Sequence, residues 1–205
     1  FIAFYKTISN IAKGQILGII DNINIHDGEA RLVRDPDPYE EFLVVDLAFD
    51  GENNSTKIVD NGSLKSNWLV NGNVKISTEQ KFDGYSSLKN NRDGYIISNT
   101  QPITSSDIST ISFEFYIESI NNNNVYYDTY DGTYNNTFQL LNYYGKFSLW
   151  YSNITVQIAT LENQSKNKIT FIYNNRNVKV YVNGRLKLDT TLDIDLNFGN
   201  KFALF

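Results

Sequence analysis

The chain has 205 residues, of which 41% are hydrophobic and 14% aromatic, so it is long enough to enclose at least one sizeable core. Its formal net charge is −5 with acidic and basic residues interspersed, which argues against nucleic acid as a partner because phosphate binding needs a concentrated basic face. The absence of cysteine and the single histidine, His26, exclude disulfides, thiolate metal sites and histidine-rich zinc sites. No apolar run approaches the roughly 18 residues of a membrane span.

Residues 26–42 form a polar stretch near the start of the chain, HDGEARLVRDPDPYEEF, which includes Pro36 and Pro38. Proline lacks a backbone N–H donor and restricts the preceding residue to extended geometry. Such a stretch is typical of a semi-rigid connector between domains. We therefore predict a Pro-containing linker at residues 29–42, within the polar stretch that begins at His26; an ordinary long surface loop is the alternative.

Beyond this linker the dominant pattern is alternation of apolar and polar residues, bounded by Gly and Asn, which is typical of strands with one buried face. In ISFEFYIES, for example, Ile111 and Phe113 alternate with Ser112 and Glu114. The pair Asn183 and Gly184 is a strong hairpin signal, and a second turn is predicted at Asn174 and Asn175, so residues 168–189 are predicted to form a three-stranded meander. Further strands are predicted at 42–49, 74–77, 85–89, 95–98, 138–144, 146–152 and 156–161. Short strands at this spacing predict an all-β sandwich or barrel.

Several segments resemble, in order, the strands of a concanavalin A-like, laminin-G-type jelly roll. They read LAFDGENNSTKIVDNGS, ISTEQKFDGYSSLK, GYIIS, ISFEFYI and ITFIYNNRNVKVYVNGRLK, and the similarity covers residues 43–205. The form it most resembles is found in bacteriophage tail and fibre proteins and in bacterial surface proteins. The resemblance implies an antiparallel β-sandwich.

The resemblance also implies an unusual order of segments. In that family a strand such as KFALF (201–205) is followed by a closing segment, and GIIDNINIHDGEARL (18–32) is similar to that segment. The phrase FIAF at residues 1–4 also resembles FALF at 202–205. We interpret residues 1–28 as closing strands of a preceding domain in a tandem array, with 43–205 lacking its own closing strand. The alternatives are a circularly permuted single domain and donation of these strands to a neighbouring copy of the protein.

Catalysis is not predicted. The resemblance extends to glucanases, which use carboxylates in an E-x-D-x-x-E pattern, but Tyr116 stands between Glu114 and Glu118, and Asp193 and Asp195 lack a third partner. A retaining pair of carboxylates must lie about 5–5.5 Å apart, and no motif here indicates such a pair.

The stretch 121–138 is a candidate carbohydrate-binding loop. It places Tyr126, Tyr127, Tyr130 and Tyr134 among Asn, Asp and Gly. A tyrosine offers a flat apolar face for a sugar ring and a hydroxyl at its rim, and binding sites are often loops on a rigid scaffold. The alternative is a tyrosine-rich hairpin whose rings pack on the sheet or on a neighbouring domain.

The resemblance implies a possible calcium ion as the one cofactor, because many laminin-G-like domains hold calcium with a carboxylate pair and backbone carbonyls. The candidate ligands are Asp50, Asp128 and Asp131. The alternative is that Asp50 and Asp131, each followed by glycine, only form turns.

Together these features predict a non-catalytic structural or adhesive domain of a phage fibre, tail or decoration protein, on the virion or another extracellular surface. It would present a lectin-like surface to host-surface glycans and act through many weak sites, with neighbouring repeats or copies of itself as further partners. A purely structural unit of an extracellular filament and a bacterial surface adhesin repeat are the alternatives.

Overall fold

The computed structural model describes residues 23–26, 29–32, 44–79, 86–90, 94–98, 109–121, 123–129, 137–198 and 202–204. The chain divides into two compact units, Phe1–Leu43 and Val44–Phe205. Every regular element in the described part is a β-strand and the strands pair antiparallel, which confirms the predicted all-β class. None of the described residues forms a helix long and apolar enough to cross a membrane.

The described part of the first unit is a β-hairpin. Strand β1 (Ile23–His26) pairs with β2 (Glu29–Leu32), with Ile23 opposite Leu32 and His26 opposite Glu29. Residues 29–32, predicted to begin the linker, therefore form a strand, and His26 ends the preceding one. Residues 1–22 and the two prolines lie outside the described residues, so the closing role of residues 1–28 stays a prediction.

The second unit contains two main sheets and one short hairpin. The larger sheet has seven strands in the order β11-β10-β9-β8-β15-β6-β3, the smaller has four in the order β14-β13-β12-β7, and β4 pairs with β5. Their bounds are β3 Trp68–Asn71, β4 Val74–Ser77, β5 Ser87–Asn90, β6 Tyr95–Ser98, β7 Ser109–Ile117, β8 Asn124–Asp128, β9 Phe138–Tyr143, β10 Lys146–Tyr151, β11 Ile154–Thr160, β12 Ser165–Asn174, β13 Asn177–Val182, β14 Arg185–Thr191 and β15 Phe202–Leu204.

The core lies between the two main sheets, because strand side chains alternate between faces and every second one is apolar. On β12, Ile169, Phe171 and Tyr173 are fully buried. Phe138 of β9 stacks on Phe171 across the sheets, with ring centroids 5.5 Å apart. Phe138 also meets Phe198 edge to face at 5.0 Å. Aromatic contacts of this kind between strands of different sheets make the unit a β-sandwich.

The predicted meander is confirmed as β12, β13 and β14. Its second turn has Asn183 at φ 52° and Gly184 at φ 75°, the positive values of a type I′ turn. The first turn lies one residue later than predicted, at Asn175 and Arg176, because Asn174 still pairs with Asn177.

The strand predicted at 42–49 is wrong for residues 44–49, which carry no strand. This segment is instead held by loop contacts. The Asp46 N–H donates to Asp60 Oδ1 at 2.9 Å, and the Asn61 N–H donates to the Asp46 carbonyl at 2.8 Å. Phe49 then turns the chain with φ 55°. The apolar composition of this segment therefore predicted a β-strand, but loop hydrogen bonds hold the segment instead.

Candidate functional site

The structure places Tyr126 and Tyr127 in the core. They are 9% and 3% exposed, respectively. Tyr126 stacks on Phe115 at 4.1 Å and Tyr127 stacks on Phe138 at 5.3 Å. Burial raises the pKa of both phenols. These contacts give both rings the packing role that was the alternative prediction and leave no ring face for a sugar. Tyr130 and Tyr134 lie outside the described residues.

The stretch 121–138 does not form one loop, because β8 runs through it. At the far end of β8, Thr129 donates its hydroxyl to the Asn197 carbonyl at 2.9 Å, and Thr137 forms a β-bridge with Asn197. At the near end, Asn121 and Asn123 are exposed. The polar residues of this stretch therefore lie at opposite ends of β8 and do not form one site.

The structure describes two of the three aspartates predicted to bind calcium. Asp50 is exposed in the loop before β3, and Asp128 on β8 accepts a hydrogen bond from Gln139 Nε2 at 3.0 Å. Asp131 lies outside the described residues. No group of three Asp, Glu, His or Cys side chains that could hold a metal ion occurs in the part of the chain that the structure describes. Calcium binding stays a prediction.

Two of the carboxylates considered for catalysis form ion pairs. Glu114 lies 3.1 Å from Lys168 Nζ, and Asp195 lies 2.9 Å from an Arg176 terminal nitrogen. The hydrogen bond from Arg176 lowers the pKa of Asp195. These contacts give both carboxylates a structural role on the surface.

A different pair of tyrosines is exposed at the end of the sandwich where β8 begins. Tyr143 ends β9 and Tyr144 follows it, and they are 53% and 62% exposed. Their rings meet edge to face with centroids 4.7 Å apart and an interplanar angle of 79°. Among the described residues they are the two aromatic side chains with large exposure. We call Tyr143, Tyr144 and Gly145 the tyrosine tip.

The tyrosine tip is a tight turn with an unfavourable residue in it. Tyr143 pairs with Lys146, so Tyr144 and Gly145 are its two central residues, at φ 48° and 76°. This is the type I′ geometry, for which Asn-Gly is preferred because both φ values are positive. A bulky residue at positive φ is a conformational outlier, at a cost of about 1 kcal/mol or more. The turn therefore holds a large exposed ring where the backbone favours Asn.

Neighbouring loops hold the tip in place. The Tyr144 N–H donates to Asn123 Oδ1 at 3.3 Å, and the Gly145 carbonyl accepts from the Leu161 N–H at 2.7 Å. A Cβ added to Gly145 would lie 3.2 Å from Cβ of Ile120, so the turn packs closely on the loop that follows β7. The Ile120 N–H in turn donates to Asn163 Oδ1 at 2.8 Å. The two rings are thus presented on a backbone fixed from both sides.

The surroundings of the tip suit recognition of a polyhydroxylated ligand. Asn121, Asn123 and Asn163 are exposed beside it and carry amide donors and acceptors. Flat apolar ring faces next to such groups can stack on a sugar ring and bond to its hydroxyls. The sequence pattern predicts a strand over 138–144 and does not indicate this site. The signal in the sequence was Tyr-Gly at a two-residue hairpin position that normally takes Asn-Gly.

Solved structures share this fold. The receptor-binding domain of botulinum neurotoxin type G matches with a TM-score of 0.59 and 12% identity, over 79% of this chain and 42% of that one. Domain 4 of AbnA, an extracellular GH43 arabinanase from Geobacillus stearothermophilus solved in complex with arabinotriose, matches with a TM-score of 0.58 and 18% identity, over 71% of this chain and 76% of that one. The binding domain of botulinum neurotoxin DC, in complex with SialylT, matches with a TM-score of 0.55 and 13% identity, over 80% and 44%.

The chain thus spans less than half of each of the two neurotoxin domains, and all three likenesses establish the β-sandwich fold. No protein-family model and no curated protein matches the sequence.

Proposed function

We propose that this chain is a non-catalytic carbohydrate-binding domain whose tyrosine tip contacts the sugar. The observation that carries this proposal is the pair of exposed, mutually packed rings of Tyr143 and Tyr144 in a turn that disfavours tyrosine. Strain of this kind is retained where the side chain has a use that offsets it. A solvent-facing ring gains little for the fold, so a ligand is the simplest use.

The chemistry of the site supports a sugar over other ligands. The rings are flanked by the exposed amides of Asn121, Asn123 and Asn163, and the exposed Lys146, which pairs with Tyr143, adds one charged side chain. Stacking supplies about 0.5–1.5 kcal/mol per aromatic contact. Two rings and a few hydrogen bonds at an open surface give a weak site, because binding must also offset lost translational and rotational freedom.

The structural likenesses support the same proposal without establishing it, because a fold hosts many functions. The AbnA domain was solved with arabinotriose and the neurotoxin DC domain with SialylT, so this type of sandwich accommodates saccharide ligands in other proteins. Identities of 18% and 13% carry no residue of those sites over to this chain.

The proposed setting is a surface that repeats the domain many times, as in a phage fibre, tail or decoration protein that contacts host glycans. Linked weak sites gain avidity of roughly 10²–10⁴ over a single site. A bacterial surface adhesin repeat would gain avidity from linked weak sites in the same way. A filament unit without a glycan ligand is the competing function, in which the tip would contact another copy of the protein.

The test is Tyr144→Asn, assayed on a glycan array that includes arabinotriose and sialylated oligosaccharides. We expect binding to fall by about two- to twelvefold, because the loss of one stacking ring removes about 0.5–1.5 kcal/mol. The melting temperature should stay the same or rise, because Asn suits positive φ. The control is Leu69→Asn, which removes an equally exposed apolar side chain, 56% exposed, from β3 and should leave binding unchanged.

Two outcomes would overturn the proposal. One is that the wild-type domain binds no glycan on the array. The other is that Tyr144→Asn leaves glycan binding intact. If the substitution instead abolishes self-association in sedimentation velocity and no glycan binds, the tip is a protein–protein contact and the filament function is correct.

A further inference from the structure

The outer face of the four-stranded sheet carries an excess of basic side chains, although the chain as a whole is acidic. Lys166 and Lys168 alternate with buried residues on β12, and Lys179 does the same on β13. A bulge places both Leu186 and Lys187 of β14 opposite Tyr181. Two acidic strand residues of this face, Glu114 and Asp189, pair with Lys168 and Lys179. We call the side chains of Lys166, Lys168, Lys179 and Lys187 on this surface the basic face.

The rows of this face follow from strand register. Ser112 lies opposite Thr170, and Thr170 lies opposite Tyr181, so these three short or half-buried side chains form one row across the sheet. The Ser112 and Thr170 hydroxyl oxygens are 3.3 Å apart. With strands about 4.8 Å apart, this row is about 10 Å long from β7 to β13, and Leu186 of β14, opposite Tyr181, extends it to about 14 Å. It is a polar strip with a tyrosine ring in its middle.

Longer basic side chains stand on both sides of this row. On one side, Lys168 lies two residues before Thr170 on β12. On the other side, Ile172 lies two residues after Thr170, and Lys179 of β13 is its partner. At about 3.3 Å per residue, the rows of Lys168 and Lys179 are about 13 Å apart. The row of Ser112, Thr170 and Tyr181 therefore lies between one lysine on each side, and we call this strip of the face the trough. Lys187 lies beside its β14 end.

The lysines of this trough are available to a ligand. Lys168 pairs with Glu114 at 3.1 Å and Lys179 with Asp189 at 3.4 Å, but the two lysine side chains remain 58% and 42% exposed, respectively. Exposed ion pairs contribute only about 0–1 kcal/mol, so a competing anion can take over either lysine. Lys187 has no carboxylate within ion-pair distance among the described residues.

We propose that this trough binds an extended anionic polysaccharide whose carboxylates contact Lys168, Lys179 and Lys187 and whose sugar rings lie over Ser112, Thr170 and Tyr181. Charge complementarity selects an anion, and the hydroxyl-lined row with one ring suits a sugar chain. An anionic lipid surface fits less well, because docking into headgroups needs apolar side chains that project beyond the basic ones. Here Ile172 and Tyr181 are half-buried between longer lysines, and Leu186 alone is exposed.

This site is separate from the tyrosine tip and does not depend on the function proposed for it. The tip offers two rings, neutral amides and one ammonium group, that of Lys146, whereas the trough offers three ammonium groups and hydroxyls. The two sites therefore predict different ligands and different salt dependence. Binding at the trough should weaken strongly as salt screens its ammonium groups, and binding of neutral sugars at the tip should not.

The probe is polygalacturonate, with neutral dextran as the uncharged polymer, measured by biolayer interferometry at low salt and at about 150 mM salt. We expect wild-type protein to bind polygalacturonate, more weakly at the higher salt, and not to bind dextran. The variant Lys168→Gln, Lys179→Gln, Lys187→Gln should lose roughly tenfold in affinity, as three exposed charge contacts imply. The same three positions changed to Arg should retain binding.

The matched control is Lys57→Gln, Lys65→Gln, Lys75→Gln, which changes net charge equally but lies outside the four-stranded sheet and should bind as wild type. Tyr144→Asn should also bind polygalacturonate normally, so failure at one site is distinguishable from failure at the other. The proposal is wrong if the Gln variant at the trough binds like wild type, or if both triple variants lose affinity equally. It is also wrong if wild type binds phosphatidylserine vesicles but not polygalacturonate, since the face would then be a lipid contact.

Discussion

Removing the carboxylate of Asp60 should destabilise the second unit, because this group holds the segment that replaces a predicted strand. Asp60 is 6% exposed. Its Oδ1 accepts the N–H groups of Asp46 and Gly62, and its Oδ2 accepts that of Ser66, each at 2.9 Å. One side chain thereby joins residues 44–46 to the loop before β3. Hydrogen bonds to a charged acceptor contribute about 1.5–3 kcal/mol each.

The expected loss of stability differs between two substitutions of Asp60. Asp60→Ala removes all three acceptor contacts and leaves buried donors unsatisfied, so we expect the free energy of unfolding to fall by about 4–5 kcal/mol. Asp60→Asn keeps the Oδ1 acceptor for two N–H groups but turns an amide donor toward the Ser66 N–H. That loss should be about 2–3 kcal/mol. Urea denaturation followed by tryptophan fluorescence measures both values.

The wild-type contribution should also depend on pH. Burial alone would raise the pKa of Asp60, but the hydrogen bonds from the Asp46, Ser66 and Gly62 backbone outweigh it, so the pKa lies below the ordinary 3.8. The folded state therefore binds this proton less readily than the unfolded state. The stabilisation is present above about pH 4 and is lost as pH falls below it. The difference in free energy of unfolding between wild type and Asp60→Asn should therefore become smaller below about pH 4. The pH effects of all other carboxylates are the same in both proteins and cancel in this difference. A difference that stays constant from about pH 6 to about pH 2.5 would refute this reasoning, as would equal losses for Asn and Ala.

Two further substitutions test the turns and the core by thermal unfolding. Gly145→Ala forces a Cβ at φ 76° to 3.2 Å from Ile120, so it should cost more than Gly184→Ala, where φ is 75° and nothing lies within 4 Å. We expect about 1 kcal/mol for Gly184→Ala and about 2 kcal/mol for Gly145→Ala, and equal losses would contradict the packing argument. Tyr173→Phe removes a buried hydroxyl that accepts from the Leu196 N–H and donates to Asp195, each at 3.4 Å. It should cost about 1 kcal/mol, and an unchanged melting temperature would show that these long bonds contribute nothing.

The sequence predicted the strands well where one face is buried. Residues 74–77 and 95–98 match β4 and β6, and 138–144 and 146–152 match β9 and β10 to within a residue. Alternation is sufficient there because a one-residue shift would expose the whole apolar face. It failed at 44–49, where the partner of the backbone is the side chain of Asp60, fourteen residues away. No local pattern reports such a contact.

The binding residues were harder to predict than the strands, because exposure of a tyrosine depends on which side of a strand it occupies and where that strand ends. Tyr126 and Tyr127 lie among Asn and Asp, which predicts a loop, yet a bulge in the pairing of β8 with β9 lets both rings pack into the core. Tyr143 and Tyr144 follow an apolar run, which predicts a strand, yet they lie at its exposed end. Composition of the neighbourhood thus gave the opposite answer in both cases.

The turns of this protein show why the tyrosine tip is the stronger candidate. Asn183 and Gly184 form the same type of turn with the preferred residues, so that turn needs no further explanation. Arg176 is another bulky residue at positive φ, 69°, and its guanidinium is held by Asp195 within the same chain. Tyr144 has the strain of Arg176 without a comparable internal partner. Among the described residues its ring contact is Tyr143 alone, and 62% of it faces solvent. This exposed, unsupported ring is the reason we propose that a ligand or another molecule contacts it.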